Sequence, residues 1–344
     1  MILFTIIYLL LLKLGRYGIV GKNFLWIKDF LRNRHQMVKI NGHSSNVSLI
    51  ESGVPQGGVL SGLMFILYIN DLPKCLNYMK CSLYADDAKL YGPIINADSQ
   101  AHIQYDLNEV VKWCNRWRLR LNVQKCFYLH YRPQKCNNIF PTYDMDGVPL
   151  PRRTTATDLG ITISDDLKFH EQVAAACKKA NREIAIIRRT FVSRNPKFLA
   201  NLYKMHVRTR LEHCVQVWNP VYTGDTIAME KVQNRFTRLL RHGRVMAPEE
   251  RNVFLGITDH KTRRLRGDLV HIYKMLEDEN LFSLLAEGRT RGNSKKISQE
   301  RANNNIRQHS FVIRNVPVWN NLPENIVNTP TLNSFKSRLD QYLS

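Results

Sequence analysis

The tetrapeptide Tyr84-Ala85-Asp86-Asp87 constrains this chain more than any other stretch. It joins two short strand-like runs, Met79–Leu83 and Ala88–Tyr91, so a β-hairpin with two carboxylates at its tip is predicted. Adjacent carboxylates repel one another, and a bound divalent cation offsets that repulsion. Phosphoryl-transfer sites of this kind hold two ions roughly 3.5–4 Å apart with carboxylates. Asp also favours plain solvated turns, so the pair alone does not decide between the two uses.

The sequence upstream narrows the choice. Ser52-Gly53-Val54-Pro55-Gln56-Gly57-Gly58-Val59-Leu60-Ser61 packs three glycines and a proline into a short loop. Such a loop permits close backbone approach to a ligand. The apolar stretch Leu63–Ile69 follows and reads as a helix, ending at Asn70-Asp71-Leu72-Pro73. Taken by itself this is also how a glycine-rich turn leads into a core helix.

In this order and spacing, the loop, the helix and the hairpin resemble the reverse transcriptase palm of non-LTR (LINE-type, jockey- or CR1-like) retrotransposons. The resemblance runs from about Leu10 to the C-terminus. Leu11–Gly21 and Trp26–Arg34 look like its helices, and Trp117–Lys125 like its fourth palm motif. Leu159-Gly160-Ile161 looks like the primer-grip turn. The segments Tyr203–Trp218 and Met229–Leu240, and the tail Phe311–Asn315 with Trp319–Pro323, also match the family pattern.

The resemblance implies an α+β fold: a partial right-hand polymerase palm, then a mainly helical thumb and C-terminal region. It implies RNA-directed DNA synthesis by two-metal nucleotidyl transfer. Asp86 and Asp87 would hold Mg²⁺ (or Mn²⁺), and Lys125 would protonate the leaving pyrophosphate. Pro55, Gln56, Gly57, Tyr84 and Ala85 would line template, primer end and incoming nucleotide. Leu159 and Gly160 would form the primer grip. The implied partners are an RNA template, an RNA–DNA or DNA duplex, and dNTPs.

The chain departs from the pattern at its start. The family's first catalytic Asp would fall at or before residue 1, yet no carboxylate precedes Asp29. The expectation is a palm truncated before that motif, without fingers, and inactive as it stands. A non-catalytic module binding RNA or hybrid duplex is the alternative. Gly62, Cys126 and Asp158 replace residues usual in the family.

Composition supports a polyanionic partner. Fifty Lys or Arg face twenty-nine Asp or Glu, giving a formal charge of +21 and a pI near 9.8, as in nucleic-acid-binding proteins. The seven cysteines form no Cys-x-x-Cys pair and no zinc spacing. Reduced thiols without disulfides are expected, in an intracellular compartment, nuclear or cytoplasmic. Met1–Leu12 is uncharged but shorter than the about twenty apolar residues of a spanning helix. It reads as a truncated or mis-spliced start, with a membrane anchor as the lesser reading.

Three regions are predicted: palm 1–130, primer-grip and thumb-like 131–245, and a helical C-terminal region 246–344 with a basic linker at 288–309. Leu107, Val110, Val111, Cys114 and Trp117 mark an amphipathic helix. Val173, Cys177, Ala180, Ile184, Ile187 and Phe191 mark another, with Lys178, Lys179, Arg182 and Arg189 off its apolar face. Leu199–Cys214, Met229–Leu240 and Thr262–Leu276 are further helices, Met37–Asn41 and Phe127–Tyr131 are strands, and Thr331 opens a terminal helix.

Overall fold

A computed structural model describes residues 4–50, 53–131, 141–277 and 293–343. The chain divides into two compact units. The first comprises 1–130 and 137–153, the second 131–136 and 154–344.

The first unit opens with helices α1 (Phe4–Arg16) and α2 (Gly21–Leu31). Leu10, Leu11 and Leu14 of α1 are buried in the core of this unit. Among the described residues, no helix is long and apolar enough to cross a membrane. Two short antiparallel ladders follow: β1 (Arg34–Gln36) with β4 (Ser48–Ile50), enclosing β2 (Lys39–Ile40) with β3 (His43–Ser44). The strand expected at Met37–Asn41 is shortened to Lys39–Ile40. Val38 leaves the ladder to donate to Ser45 Oγ, and Asn41 takes a left-handed turn at φ 49°.

Helix α3 (Val59–Ile69) buries Met64, Tyr68 and Ile69. The hairpin β5 (Lys80–Tyr84) with β6 (Asp87–Tyr91) is antiparallel, and the pair Tyr84–Asp87 closes it. Helix α4 (Ser99–Arg116) buries the predicted stripe Leu107, Val110 and Cys114, together with Trp113. Met64, Tyr68, Leu107, Val110, Trp113 and Trp117 share one core, against which Leu83 and Leu90 of the hairpin pack. The short strands β7 (Tyr128–Leu129), β8 (Asp144–Met145), β9 (Val148–Pro149) and β10 (Arg152–Arg153) complete the unit. Strand β7 pairs in parallel with β10, and β8 pairs antiparallel with β9.

The second unit begins with the hairpin β11 (Thr155–Asp158) and β12 (Ile161–Ser164), then α5 (His170–Thr190). Val173, Ala180, Ile184 and Ile187 of α5 are buried as predicted, and Cys177 and Phe191 are half-buried. The helix expected at Leu199–Cys214 is interrupted. Helix α6 (Pro196–Leu202) passes through a wide π turn at Tyr203–Val207 into α7 (Arg208–Glu212). Tyr203, Val207 and Leu211 all reach zero exposure across that turn, and Cys214 ends the run with φ 51°.

Helices α8 (Val215–Trp218), α9 (Thr223–Thr237) and α10 (Pro248–Leu255) complete this first core. A second core joins α11 (His260–Leu276), α13 (Phe311–Asn320), α14 (Glu324–Val327) and α15 (Leu332–Leu343), centred on Trp319 and Phe335, and the short exposed α12 (Asn305–Gln308) precedes α13. The buried pair Asp268–Arg314 (2.9 Å) ties α11 to α13, and Arg314 also donates to Gln216 O of α8. Thr331 caps α15 by accepting from Ser334 N. Part of the stretch expected as a basic linker is packed. Ile297 is buried in the second core, and Asn293 donates to the carbonyls of Trp319 and Leu322. Residues 288–292 lie outside the described residues.

Candidate nucleotidyl-transfer site and nucleic-acid surface

A two-residue turn, Ala85-Asp86, closes the hairpin tip. Ala85 sits at φ 51°, a left-handed position that costs a residue with a side chain about 1–2 kcal/mol. Strain of this sort persists where the surroundings over-determine it, and it gathers at functional sites. Tyr84, Ala85, Asp86 and Asp87 are all exposed, so both carboxylates stand open to a ligand.

What fixes the hairpin is a residue that the sequence reading passed over. Asp106 of α4 is fully buried and accepts backbone N–H groups from Asn77 (2.9 Å), Tyr78 (2.8 Å) and Met79 (2.6 Å). These three amides lead directly into β5. The signal was present: Asp106 lies on the same helix face as Ile103, Leu107 and Val110, where an acid is out of place unless it has donors to meet.

A second buried charge organises the floor of the unit. Lys13 of α1 is 2% exposed and pairs with Asp71 Oδ1 at 2.5 Å. Its ammonium lies 4.7, 4.6 and 3.7 Å from the ring centres of Tyr68, Trp113 and Trp117, and it also donates to Tyr68 O. Burial pulls the Lys13 pKa down, against the opposing pull of Asp71. Burial also pushes the Tyr68 phenol up to about 12, while its hydroxyl donates to Trp117 O.

Gln56 and Gly57 are exposed, and Pro55 is half-buried. The loop is pinned at both ends. Arg34 of β1 donates to Gly53 O (2.5 Å), and Ser61 Oγ of α3 donates to Pro55 O (2.5 Å). Gly57 has φ 78°, a conformation that favours glycine, and a Cβ on Gly58 would lie 2.7 Å from Ser61 Oγ, so that hydroxyl would have to move. Val54 and Leu60, flanking the loop, pack on the same core as Leu83 and Leu90 of the hairpin. Lys125 is exposed at the end of a single 3₁₀ turn, Val123–Lys125.

Leu159 and Gly160 belong to the second unit. They form the two-residue turn of the β11–β12 hairpin at φ 45° and 81°. Both angles are positive, as the favoured hairpin geometry demands. Pro55, Gln56, Gly57, Tyr84, Ala85, Asp86, Asp87 and Lys125 are thus carried by one unit, and the primer-grip pair by the other.

Carboxylate oxygens suit Mg²⁺, which asks for near-octahedral oxygen ligation. Asp86 and Asp87 offer such oxygens. Among the described residues, however, no three potential metal ligands come together. These two side chains therefore fill part of an ion's shell and leave the rest to other donors. The six described cysteines are free thiols, and burial raises Cys75 and Cys114 to about 11. Cys136 lies outside the described residues.

Comparison with known proteins agrees with the residue pattern. Residues 10–169 match the model of the reverse transcriptase (RNA-dependent DNA polymerase) family. The relatives are retrotransposon proteins of the non-LTR type. The chain is 26% identical over 231 residues to the probable RNA-directed DNA polymerase from transposon BS of Drosophila melanogaster, covering 62% of this chain and 25% of that protein. It is 26% identical over 226 residues to the probable RNA-directed DNA polymerase from transposon X-element of the same species, covering 62% and 24%. It is 25% identical over 210 residues to the RNA-directed DNA polymerase from mobile element jockey, covering 57% and 22%. The chain spans about a quarter of the length of these curated relatives.

Proposed function

We propose that this chain is the palm and thumb-like part of a retrotransposon RNA-directed DNA polymerase, and that by itself it binds template–primer without extending it. The observation that carries the reading is the anchored hairpin. Asp106 fixes the entry to β5 through three backbone amides, and the strained turn then presents Asp86 and Asp87 to solvent. Electrostatic catalysis needs groups held before the reaction begins, and this hairpin is so held.

Asp86 and Asp87 would hold Mg²⁺ or Mn²⁺, which when bound supplies charge stabilisation for phosphoryl transfer. Pro55, Gln56 and Gly57 would lie along template and nucleotide, where the glycine backbone allows close approach. Tyr84 and Ala85 would face the primer end. Lys125 would give a proton to the departing pyrophosphate, and Leu159 with Gly160 would steady the primer strand. The +21 charge draws RNA or a hybrid duplex to this surface. The free thiols suit a reducing, intracellular setting.

The two exposed carboxylates leave an ion short of protein ligands within the described residues. The test is primer extension on an RNA template. The 344-residue chain is expected to extend no faster than its Asp86→Ala variant. A longer protein that adds an upstream segment with the family's first catalytic Asp is expected to extend, and Asp86→Ala in that protein to abolish it. Mg²⁺-dependent synthesis by the 344-residue chain, lost in Asp86→Ala, would overturn the non-catalytic part of the reading.

A further inference from the structure

We propose that the connection between α9 and α10, residues 238–247, is a preformed grip for nucleic-acid phosphates, organised by the buried Arg251. The proposal rests on the nucleic-acid reading above and adds to it a site made of other residues. Within the connection, Leu240 is buried and Leu239 and Met246 are half-buried, whereas Arg238, Arg241 and Arg244 are exposed. Apolar groups thus hold the loop down and three guanidinium groups stand outward. None of the three takes part in an ion pair among the described residues.

The loop is rigid for a specific reason. Arg251 is 2% exposed. It donates to Thr237 Oγ1 (2.9 Å) at the end of α9, and to Gly243 O (3.0 Å) and Met246 O (2.5 Å) within the loop. These acceptors, one hydroxyl and two carbonyls, are all neutral. The loop also folds tightly on α9, since a Cβ on Gly243 would lie 2.8 Å from Thr237 O. One turn before Arg238, exposed Arg235 donates to Asn181 of α5 at 3.1 Å, beside the exposed Arg182. The cationic surface therefore continues from the loop onto α5.

Three cations without an ion pair repel each other, and holding them on a fixed frame costs stability. A polyanion removes that cost. The planar guanidinium fork matches phosphate in a bidentate manner, which favours a phosphate backbone over a diffuse negative surface. Fixing the arginines beforehand lowers the ordering cost of binding.

The test measures binding of fluorescent RNA–DNA duplex and single-stranded RNA across a salt series. It compares the full chain with Arg238→Ala/Arg241→Ala/Arg244→Ala and with a control of equal charge loss, Lys261→Ala/Lys274→Ala/Arg301→Ala, whose residues are exposed elsewhere on the same unit. The loop variant is expected to bind duplex about 10- to 100-fold more weakly at low salt and to flatten the log–log salt slope by about 2–3, three contacts at about 0.9 each. The control is expected to stay within about 3-fold of the parent, as distant charges are screened. Arg251→Lys keeps the charge but not the fork; it is expected to bind several-fold more weakly and to exchange the amides of 240–246 faster. Equal losses in loop and control variants would overturn the proposal in favour of bulk charge. Parent-like binding by the loop variant would overturn it while leaving the nucleic-acid reading intact. No binding by the parent would overturn both. Loss of binding to anionic vesicles but not to nucleic acid would overturn it in favour of a membrane surface.

Discussion

Removing the carboxylate of Asp106 should loosen the hairpin that carries Asp86 and Asp87. In Asp106→Ala, three backbone donors at 2.6–2.9 Å lose their shared acceptor. Hydrogen bonds to a charged group contribute about 1.5–3 kcal/mol each. Asn77 and Tyr78 are exposed, so their amides recover water, while Met79 is half-buried and recovers less. The net loss should be about 2–4 kcal/mol, well short of three full bonds. Asp106→Asn keeps one acceptor oxygen but turns an NH₂ toward the donors, and should lose about 1–3 kcal/mol. Urea unfolding gives the stability, and amide exchange over Lys80–Tyr84 and Asp87–Tyr91 gives the local effect. Both variants should exchange these strands faster than α4. A loss below about 0.5 kcal/mol in Asp106→Ala, with unchanged strand protection, would refute the claim that Asp106 anchors the hairpin.

Other outcomes follow from the remaining buried polar groups. Burial and the nearby Arg264 hold His260 at a pKa of about 4 against the usual 6.5. The unfolded chain takes up this proton first, so the His260 contribution is full above pH 6.5 and is lost as pH falls through 4. The loss is about 3 kcal/mol, and His260→Gln should flatten the wild-type slope in urea titrations between pH 7 and 4. Asp71→Ala should destabilise the first unit by about 1–3 kcal/mol, discounted for the partial exposure of Asp71, because it strands the buried Lys13. Lys13→Met should cost less, and calorimetry on the two variants decides the order. Trp319→Ala should cost about 3–5 kcal/mol by emptying the second core of the C-terminal unit, read as a drop in unfolding midpoint. Asp86→Ala, at an exposed turn, should leave stability within about 0.5 kcal/mol, checked by the same unfolding curves.

The sequence alone determined those features that depend on near neighbours. The hairpin at Tyr84–Asp87 follows from two strand-like runs closing on a two-residue turn. The core face of α5 follows from Val173, Ala180, Ile184 and Ile187 at helical spacing. The glycines of the Pro-Gln-Gly loop announced a backbone that residues with side chains rarely adopt, and Gly57 takes such a conformation at φ 78°. Motif order was enough to mark the family, because each motif is short and local.

Tertiary structure decided the fate of the isolated polar residues. Lys13 directly follows the uncharged run Met1–Leu12, yet it is buried against Asp71, 58 positions away. Asp106 read as one more polar residue on a helix, and its donors lie 27–29 positions earlier. Arg251 gave no sequence signal, because two of its partners are backbone carbonyls, which every residue has, and another is the hydroxyl of Thr237. Tyr203 looked like the middle of a continuous helix until burial of Tyr203, Val207 and Leu211 on one face opened the turn. The physical reason is clearest for Lys13 and Asp106. Periodicity tells which face of an element turns inward, but a polar group goes inside when distant chain brings it a partner, and that is settled by packing.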